Sequence, residues 1–453
     1  MVCKMRPNIL FVLVDGLRAD QCYGENKESH TPFLDSLINE GVYFNNAFSS
    51  VDGTTISLIC LLNSKFQFET GIRAQKIILL ENNHLQILKD SNYYITGLIP
   101  RLTSLLPIAD FLQNDNHMYE PGPPPETLST GMTEKILSLL DSLQAKSPWF
   151  CYVHLFDLHP LREGRQPLKI EQFKSEKFGK STYAKTVSSI DFWLINIAKK
   201  IDFNNTVIVL TSDHGERIPF DEKISFQFEP ELKNVSNVGK KILPKSTHQI
   251  GGRVMGKIKN IIGKTKANYS KKALTPYQRR SRDPYFTLSL YDELLHIPFF
   301  IKGKKLPSKN ISNQVSNLDI FPTIFEVLDI PYKNSKFGKS LCPLIYNQKL
   351  TDNDIFLHTI PYEKESKFDA IGIRTGKYKY FRNSKELKKN VHLYDLENDP
   401  YENNNISKDN PAIIEKMENL INNMKGNGVR LGNMITEEEE KKISEELKKL
   451  GYM

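Results

Sequence analysis

The sequence predicts an α/β fold: a doubly wound, mostly parallel sheet with helices on both faces, then a small C-terminal antiparallel α+β subdomain and a terminal helix. Three observations predict it. Apolar runs near Ile9–Val14, Trp149–Phe156 and Thr206–Leu210 each stop abruptly at an acid or a histidine. Continuous runs of that length suit strands buried on both faces, as in a parallel sheet flanked by helices. Between two of them, Val187, Ile190, Leu194 and Ile197 recur at helical spacing within Tyr183–Lys200. Near the C-terminus, Ala370–Arg374, Tyr378–Phe381 and His392–Tyr394 form short strands, with Gly376-Lys377 placed as a hairpin turn.

The chain has 453 residues, enough for one large domain and a smaller one. A catalytic domain over 1–350 and a subdomain over 351–453 are expected. The stretch 218–286 is lysine-rich and weakly periodic, as an insertion or flap over a site would be. Net charge is +8, concentrated between Lys223 and Arg282. Aromatics do not interleave with those cations, so nucleic acid is not an expected partner, and the charge serves as solvated surface or steers an anionic substrate. No apolar run is long enough to span a bilayer. Arg6-Pro7 leads straight into the first strand without room for a signal peptide, so a cytoplasmic location is expected. The five cysteines are scattered without a CxxC pair, which argues against a disulfide framework or a structural zinc site.

The first strand ends at Asp15-Gly16. At the carboxyl end of a buried parallel strand, an acid either caps the next helix or holds a ligand such as a metal ion. Thr31-Pro32 opens a helix that Gly41 closes, with Thr31 as its cap. The polar turn Ser49–Ser57 opens an apolar helix, Leu58–Leu62. Helix N-termini present unpaired N–H groups and a positive dipole end, which favour anions and activated nucleophiles. Tyr93–Ile99 is a strand, and a Pro-rich loop at Pro121–Pro125 precedes a helix over about Thr133–Leu143. The second buried strand leads into Asp157-Leu158-His159-Pro160, and the third stops at Asp213-His214-Gly215-Glu216. Leu290–Ile301 is a loop and strand, Leu318–Leu328 a helix, and Thr436–Leu450 a charged helix with an acidic start and a basic end.

Asp15, Thr54, Asp213 and His214 together form a mixed oxygen and nitrogen set for a divalent cation, which could lower the pKa of a hydroxyl. Their order and flanks resemble the sulfatase family (sulfatase-like hydrolases) of the alkaline phosphatase superfamily. Pro7–Leu10 through Asp20, with Tyr23-Gly24, is similar to the family's first motif, and Thr31-Pro32, Leu34-Asp35 and Gly41–Ala47 continue it. His154–Pro160, Asp191, Asn205–Glu216, Tyr291–Glu293 with Ile297-Pro298, Asp319 with Pro322-Thr323, Gly372–Tyr380 and Leu450–Tyr452 resemble later landmarks. The resemblance implies hydrolysis of a sulfate or phosphate ester, with Asp15, Asp213 and His214 as metal ligands. It also implies a nucleophile on the same metal and His159 against the anionic oxygens of the substrate.

Three departures matter. Sulfatases carry Cys or Ser in a Cys-x-Pro-Ser-Arg motif, converted to formylglycine. The matching segment here is Thr54-Thr55-Ile56-Ser57-Leu58, and threonine cannot be so converted. The alignment places Thr54 rather than Thr55 at the nucleophile, with Ser57 supporting the turn and Cys60 in the core. A threonine there resembles the family's phosphoesterases, phosphonate hydrolases and transferases. Gly16 stands where many sulfatases have a second acid and bind Ca, so Mn, Zn or Mg becomes at least as suitable. No cation occupies Phe286–Leu290, where the family has one, and His248 either serves instead or is an ordinary surface histidine. The expected function is metal-dependent hydrolysis of a phosphate, phosphonate or sulfate ester of a small molecule or glycan. The alternatives are a transferase moving a phospho-head-group onto a glycan or lipid, and a non-catalytic binding protein on the same fold.

Overall fold

The structure is a computed structural model that describes residues 6–72, 76–122, 124–163, 171–218, 275–282, 290–333, 335–351, 353–359, 369–426 and 436–449. The chain divides into two compact units, residues 1–216 with 287–453, and residues 217–286. In the second unit the described residues include a helix at Pro276–Arg282.

Among the described residues of the first unit, nine strands form one sheet: β1 (Asn8–Val14), β2 (Val42–Phe48), β3 (Tyr94–Pro100), β4 (Met118–Tyr119), β5 (Trp149–Leu155), β6 (Thr206–Thr211), β7 (His296–Lys302), β8 (Lys309–Ile311) and β9 (Val315–Ser316). Their order is β4-β3-β5-β1-β6-β7-β2-β8, with β9 beside β2. β5, β1 and β6 are adjacent and parallel, with Leu13 level with both His154 and Thr211. All three are buried from end to end, which is why their sequences are apolar runs rather than alternations. β7 runs antiparallel to both β6 and β2, which makes the sheet mixed.

The connecting segments include α1 (Pro32–Glu40), α2 (Thr54–Asn63), α3 (Met132–Ser142), α4 (Thr182–Ala198) and α5 (Ile320–Val327). In α2 every residue from Ile56 to Asn63 is buried, so this mostly apolar helix is enclosed on all sides. Stacked ring pairs fill the core, Phe11 on Phe321 at 5.3 Å and Phe44 on Phe299 at 4.7 Å. Four further strands, β10 (Ile355–His358), β11 (Ala370–Arg374), β12 (Tyr378–Asn383) and β13 (His392–Asp395), form the expected antiparallel sheet. The hairpin between β11 and β12 closes through Thr375 N–H on Tyr378 O at 2.8 Å. α6 (Pro411–Lys425) and α7 (Glu437–Lys449) follow.

One local expectation needs correction, and two elements lie outside the sequence reading. Val42–Phe48 is strand β2. A register shift between Phe44 and Ala47 accommodates Asn45-Asn46, which hides the strand pattern in the sequence. Thr31 makes no capping hydrogen bond. The carboxylate of Asp191, from α4, takes its place by accepting from Phe33 N–H at 3.0 Å and Leu34 N–H at 2.8 Å. Helix α6 has no counterpart in the periodicity reading, since it buries only Met417 and Ile421. No helix among the described residues is long and apolar enough to cross a membrane.

Candidate active site

The site lies at the carboxyl ends of β5, β1 and β6, where an open parallel sheet leaves its crevice. Asp15 follows β1 directly, and Asp213 lies two residues beyond β6. The turn after Asp15 is held on two sides. Gly16 N–H donates to Asp213 Oδ1 at 3.2 Å, and Leu17 N–H donates to Ser212 Oγ at 2.9 Å. From α4, the Tyr183 hydroxyl donates to Gly16 O at 2.5 Å and accepts from Arg18 N–H at 3.0 Å. Gly16 has φ +70°, and a Cβ there would stand 3.3 Å from Glu216 Cβ. A second acid at this position would be strained by its backbone and crowded by Glu216, so the glycine belongs to the geometry of this turn.

Thr54 is the first residue of α2, with Gly53 as its extended N-cap. Its Oγ1 donates to Asp15 Oδ2 at 3.0 Å and lies 3.3 Å from His214 Nε2. Ser57, one turn on, donates to Asp213 O at 2.6 Å and accepts from Asn317 Nδ2 at 3.1 Å, so it ties the helix to the end of β6. That is the supporting role its sequence position implies. Cys60 is fully buried, with its thiol pushed up to about 12 by burial, and is inert core.

Asp15, Asp213 and His214 are almost completely buried, and one ligand atom from each lies within 4.8 Å of the others. His214 Nδ1 donates to Gly215 O at 2.5 Å, which leaves the Nε2 lone pair directed into the site. Nε2 is 3.4 Å from Asp213 Oδ2 and 4.0 Å from Asp15 Oδ1. Asp213 Oδ1 accepts from Gly16 and His214 N–H groups, while Oδ2 is buried with no hydrogen-bond partner. Burial and the charge of Asp15 raise the Asp213 carboxyl above the usual range. Burial also opposes ionisation of Asp15, but His154 and His214 outweigh it and hold that carboxyl well below the usual range. Two buried carboxylates, one lacking a partner, and an imidazole presenting its lone pair are a donor set that fits a divalent cation.

His159 lies in a 3₁₀ turn after β5, buried and stacked on Phe156 at 4.1 Å. It is near enough to favour the Asp15 charge. His248 and residues 283–289, which include most of the stretch where the family has a substrate cation, lie outside the described residues. One site residue is concealed by its sequence context. His154 is fully buried within β5, with Nε2 at 3.5 Å from Asp15 Oδ2. The signal available was a lone imidazole inside an otherwise apolar strand next to β1.

The sulfatase family profile matches residues 7–330. The chain belongs to the sulfatase family. A second profile, that of the N-sulphoglucosamine sulphohydrolase C-terminal region, matches residues 285–427. Arylsulfatase K of Rattus norvegicus is 24% identical over 303 residues, covering 63% of this chain and 50% of that protein. The chain thus spans about half the length of that relative. An ulvan-active sulfatase of Formosa agariphila is 22% identical over 460 residues, covering 92% of this chain and 79% of that one. A solved 2-O GAG sulfatase superposes with TM-score 0.62 at 17% identity, covering 92% of each chain. The sulfatase fold is therefore shared at low identity.

Proposed function

We propose that this sulfatase-family chain is a hydrolase of sulfate, phosphate or phosphonate esters, with Thr54 as its covalent nucleophile. The observation that carries this reading is the Thr54 hydroxyl. It stands at the N-terminus of a buried helix, within 3.0 Å of one ligand carboxylate and 3.3 Å of the ligand imidazole. Asp15, Asp213 and His214 would hold the cation, Mn, Zn, Mg or Ca. When bound, it supplies charge neutralisation and lowers the pKa of a nearby hydroxyl. Asp15 Oδ2 is placed to take the Thr54 proton as Oγ1 attacks phosphorus or sulfur. The bond to the leaving oxygen breaks and the same proton passes from Asp15 to that oxygen, so the alcohol departs neutral and Asp15 is again a carboxylate. Water then cleaves the threonyl ester and releases the inorganic anion. N–H groups at the start of α2 and the His159 ring favour the charge that develops on the non-bridging oxygens.

Sulfated sugars are supported as a substrate class by the relatives. One solved neighbour, with TM-score 0.60 at 16% identity, holds its substrate D-glucosamine-2-N,6-O-disulfate. Phosphorus esters are supported by Thr54, which has no route to formylglycine. The test is turnover of p-nitrophenyl sulfate, phosphate and phosphonate esters after chelation and reloading with each metal. Thr54→Ala is expected to lose turnover about 10⁴-fold while Thr55→Ala stays within about threefold. An active Thr54→Ala enzyme would remove the nucleophile assignment. Trapping of a labelled Thr54 ester, with added acceptor alcohols, separates hydrolysis from transfer.

A further inference from the structure

A histidine buried in the middle of a sheet needs partners at its ring nitrogens, because an unpaired polar atom there costs free energy. His154 has one within hydrogen-bond reach, at Nδ1, while Nε2 is buried with no hydrogen-bond partner and is aimed at a carboxylate. Nδ1 faces the Tyr152 hydroxyl at 3.3 Å, and Nε2 faces Asp15 Oδ2 at 3.5 Å. Its backbone is pinned as well, since the buried Tyr119 hydroxyl donates to His154 O at 2.7 Å. His154 pairs with Leu13, and Asp15 is two residues beyond Leu13, so the two-residue period of a strand puts both side chains on one face.

The two oxygens of Asp15 have different neighbours. Oδ2 accepts from Thr54 Oγ1 at 3.0 Å and faces His154. Oδ1 faces His214 Nε2 at 4.0 Å. Among the described residues, the set with ligand atoms within 4.8 Å of one another is Asp15, Asp213 and His214, and His154 stands outside it. The geometry points to His154 as a positioning residue. Its Nε2–H holds Asp15 Oδ2 beside the Thr54 hydroxyl, which leaves Oδ1 to the cation together with Asp213 Oδ2 and His214 Nε2. The Tyr152 hydroxyl donates to Nδ1 and so selects the tautomer with its proton on Nε2. A chain of four residues, Tyr152, His154, Asp15 and Thr54, then links the interior of β5 to the nucleophile. The inference rests on the cation reading above. It concerns the orientation of a ligand rather than a further ligand.

The experiment titrates full-length protein with Mn²⁺ by calorimetry and records visible spectra with Co²⁺. The wild type is compared with His154→Leu, His154→Gln and Tyr152→Phe, each checked for folding by thermal unfolding. Removing an outer partner of a ligand typically costs about 10–100-fold in metal affinity. His154→Leu is expected to lose about that much, and His154→Gln, which keeps a donor, to recover most of it. The Co²⁺ band positions are expected to stay fixed. Wild-type affinity in folded His154→Leu overturns the inference, and so does a shifted Co²⁺ band, which would make His154 a ligand. If His154→Leu fails to fold, Tyr152→Phe decides: weaker Mn²⁺ binding supports the inference and unchanged binding overturns it. A wild type that binds neither ion overturns the cation reading, and the inference with it, before any variant is examined.

Discussion

Two clusters of buried charge differ in how completely they are paired. At the ends of β1 and β6, Asp15 and Asp213 sit together with neutral-capable histidines, and Asp213 Oδ2 has no hydrogen-bond partner. Beside the small sheet, Asp292 bonds Arg374 Nη2 at 2.9 Å and Lys379 Nζ at 2.6 Å, and Lys379 also pairs with Glu402 at 2.9 Å. Glu402 in turn accepts from Asp292 N–H at 2.8 Å, and the Arg374 guanidinium lies 3.6 Å over the Phe48 ring. Two acids meet two bases there, so the charges cancel. The first cluster is an excess of negative charge that invites a cation. The second is a closed network that joins β11 and β12 to the segment before β7. Both clusters are largely buried, although 15% of the Asp292 side chain is exposed, and pairing is what separates a candidate site from a structural joint.

The largest expected effect removes the excess charge. Asp213→Asn keeps the Oδ1 acceptor for Gly16 and His214 and loses a ligand. Turnover is expected to fall about 10³–10⁴-fold, with Mn²⁺ affinity lost in calorimetry. The same variant, stripped with chelator, is expected to be more stable than the stripped wild type by about 1–2 kcal/mol in urea unfolding, because a repelled carboxylate is gone. Loss of stability would mean that the cluster is paired after all.

The opposite sign is expected at the second cluster. Asp292→Asn leaves Lys379 and Arg374 under-compensated and is expected to cost about 3–5 kcal/mol. Burial opposes ionisation of Asp292, but Arg374 and Lys379 outweigh it and hold its carboxyl well below the usual range. A lowered folded-state pKa gives stability that is present above the unfolded value near 3.8 and lost as pH falls below it. Urea unfolding of the wild type between pH 6 and pH 3 is expected to show this acid limb, and Asp292→Asn is expected to flatten it. An unchanged limb would assign acid sensitivity to other carboxylates.

What the sequence revealed follows the same division. β1, β5 and β6 were legible because strands buried on both faces are continuous apolar runs, and Asp15, Asp213 and His214 were legible because each breaks such a run. Thr54 was legible as a hydroxyl opening an apolar helix. His154 was concealed by lying inside its run. The Asp292 network was out of reach because Arg374 and Lys379 are 82 and 87 residues away and no local pattern pairs them. For the same reason Thr31 looked like the cap of α1, when the cap comes from Asp191, 158 residues beyond Phe33.

Asp191 stands between the two clusters in kind, and it supplies the smallest expected effect. It is a buried acid with two backbone N–H groups and, among the described residues, no cation within hydrogen-bond distance. Two forces compete on it. Burial disfavours the charge, while the N–H groups and the dipole at the start of α1 favour it. Burial prevails and the carboxyl is pushed up to about 7. A raised folded-state pKa gives stability that is full below the unfolded value and lost as pH rises through the folded one. The wild type should therefore lose about 2–3 kcal/mol between pH 5 and pH 8 through this group. Asp191→Asn, which resembles the protonated acid, should lack that share of the slope. Urea unfolding of both proteins at the two pH values measures it. If the stability gap between wild type and variant instead widens in favour of the wild type at pH 8, the helix N-terminus outweighs burial. Backbone N–H groups alone would then suffice to keep a buried carboxylate charged, and the missing partner of Asp213 Oδ2 would become a sharper mark of the candidate site.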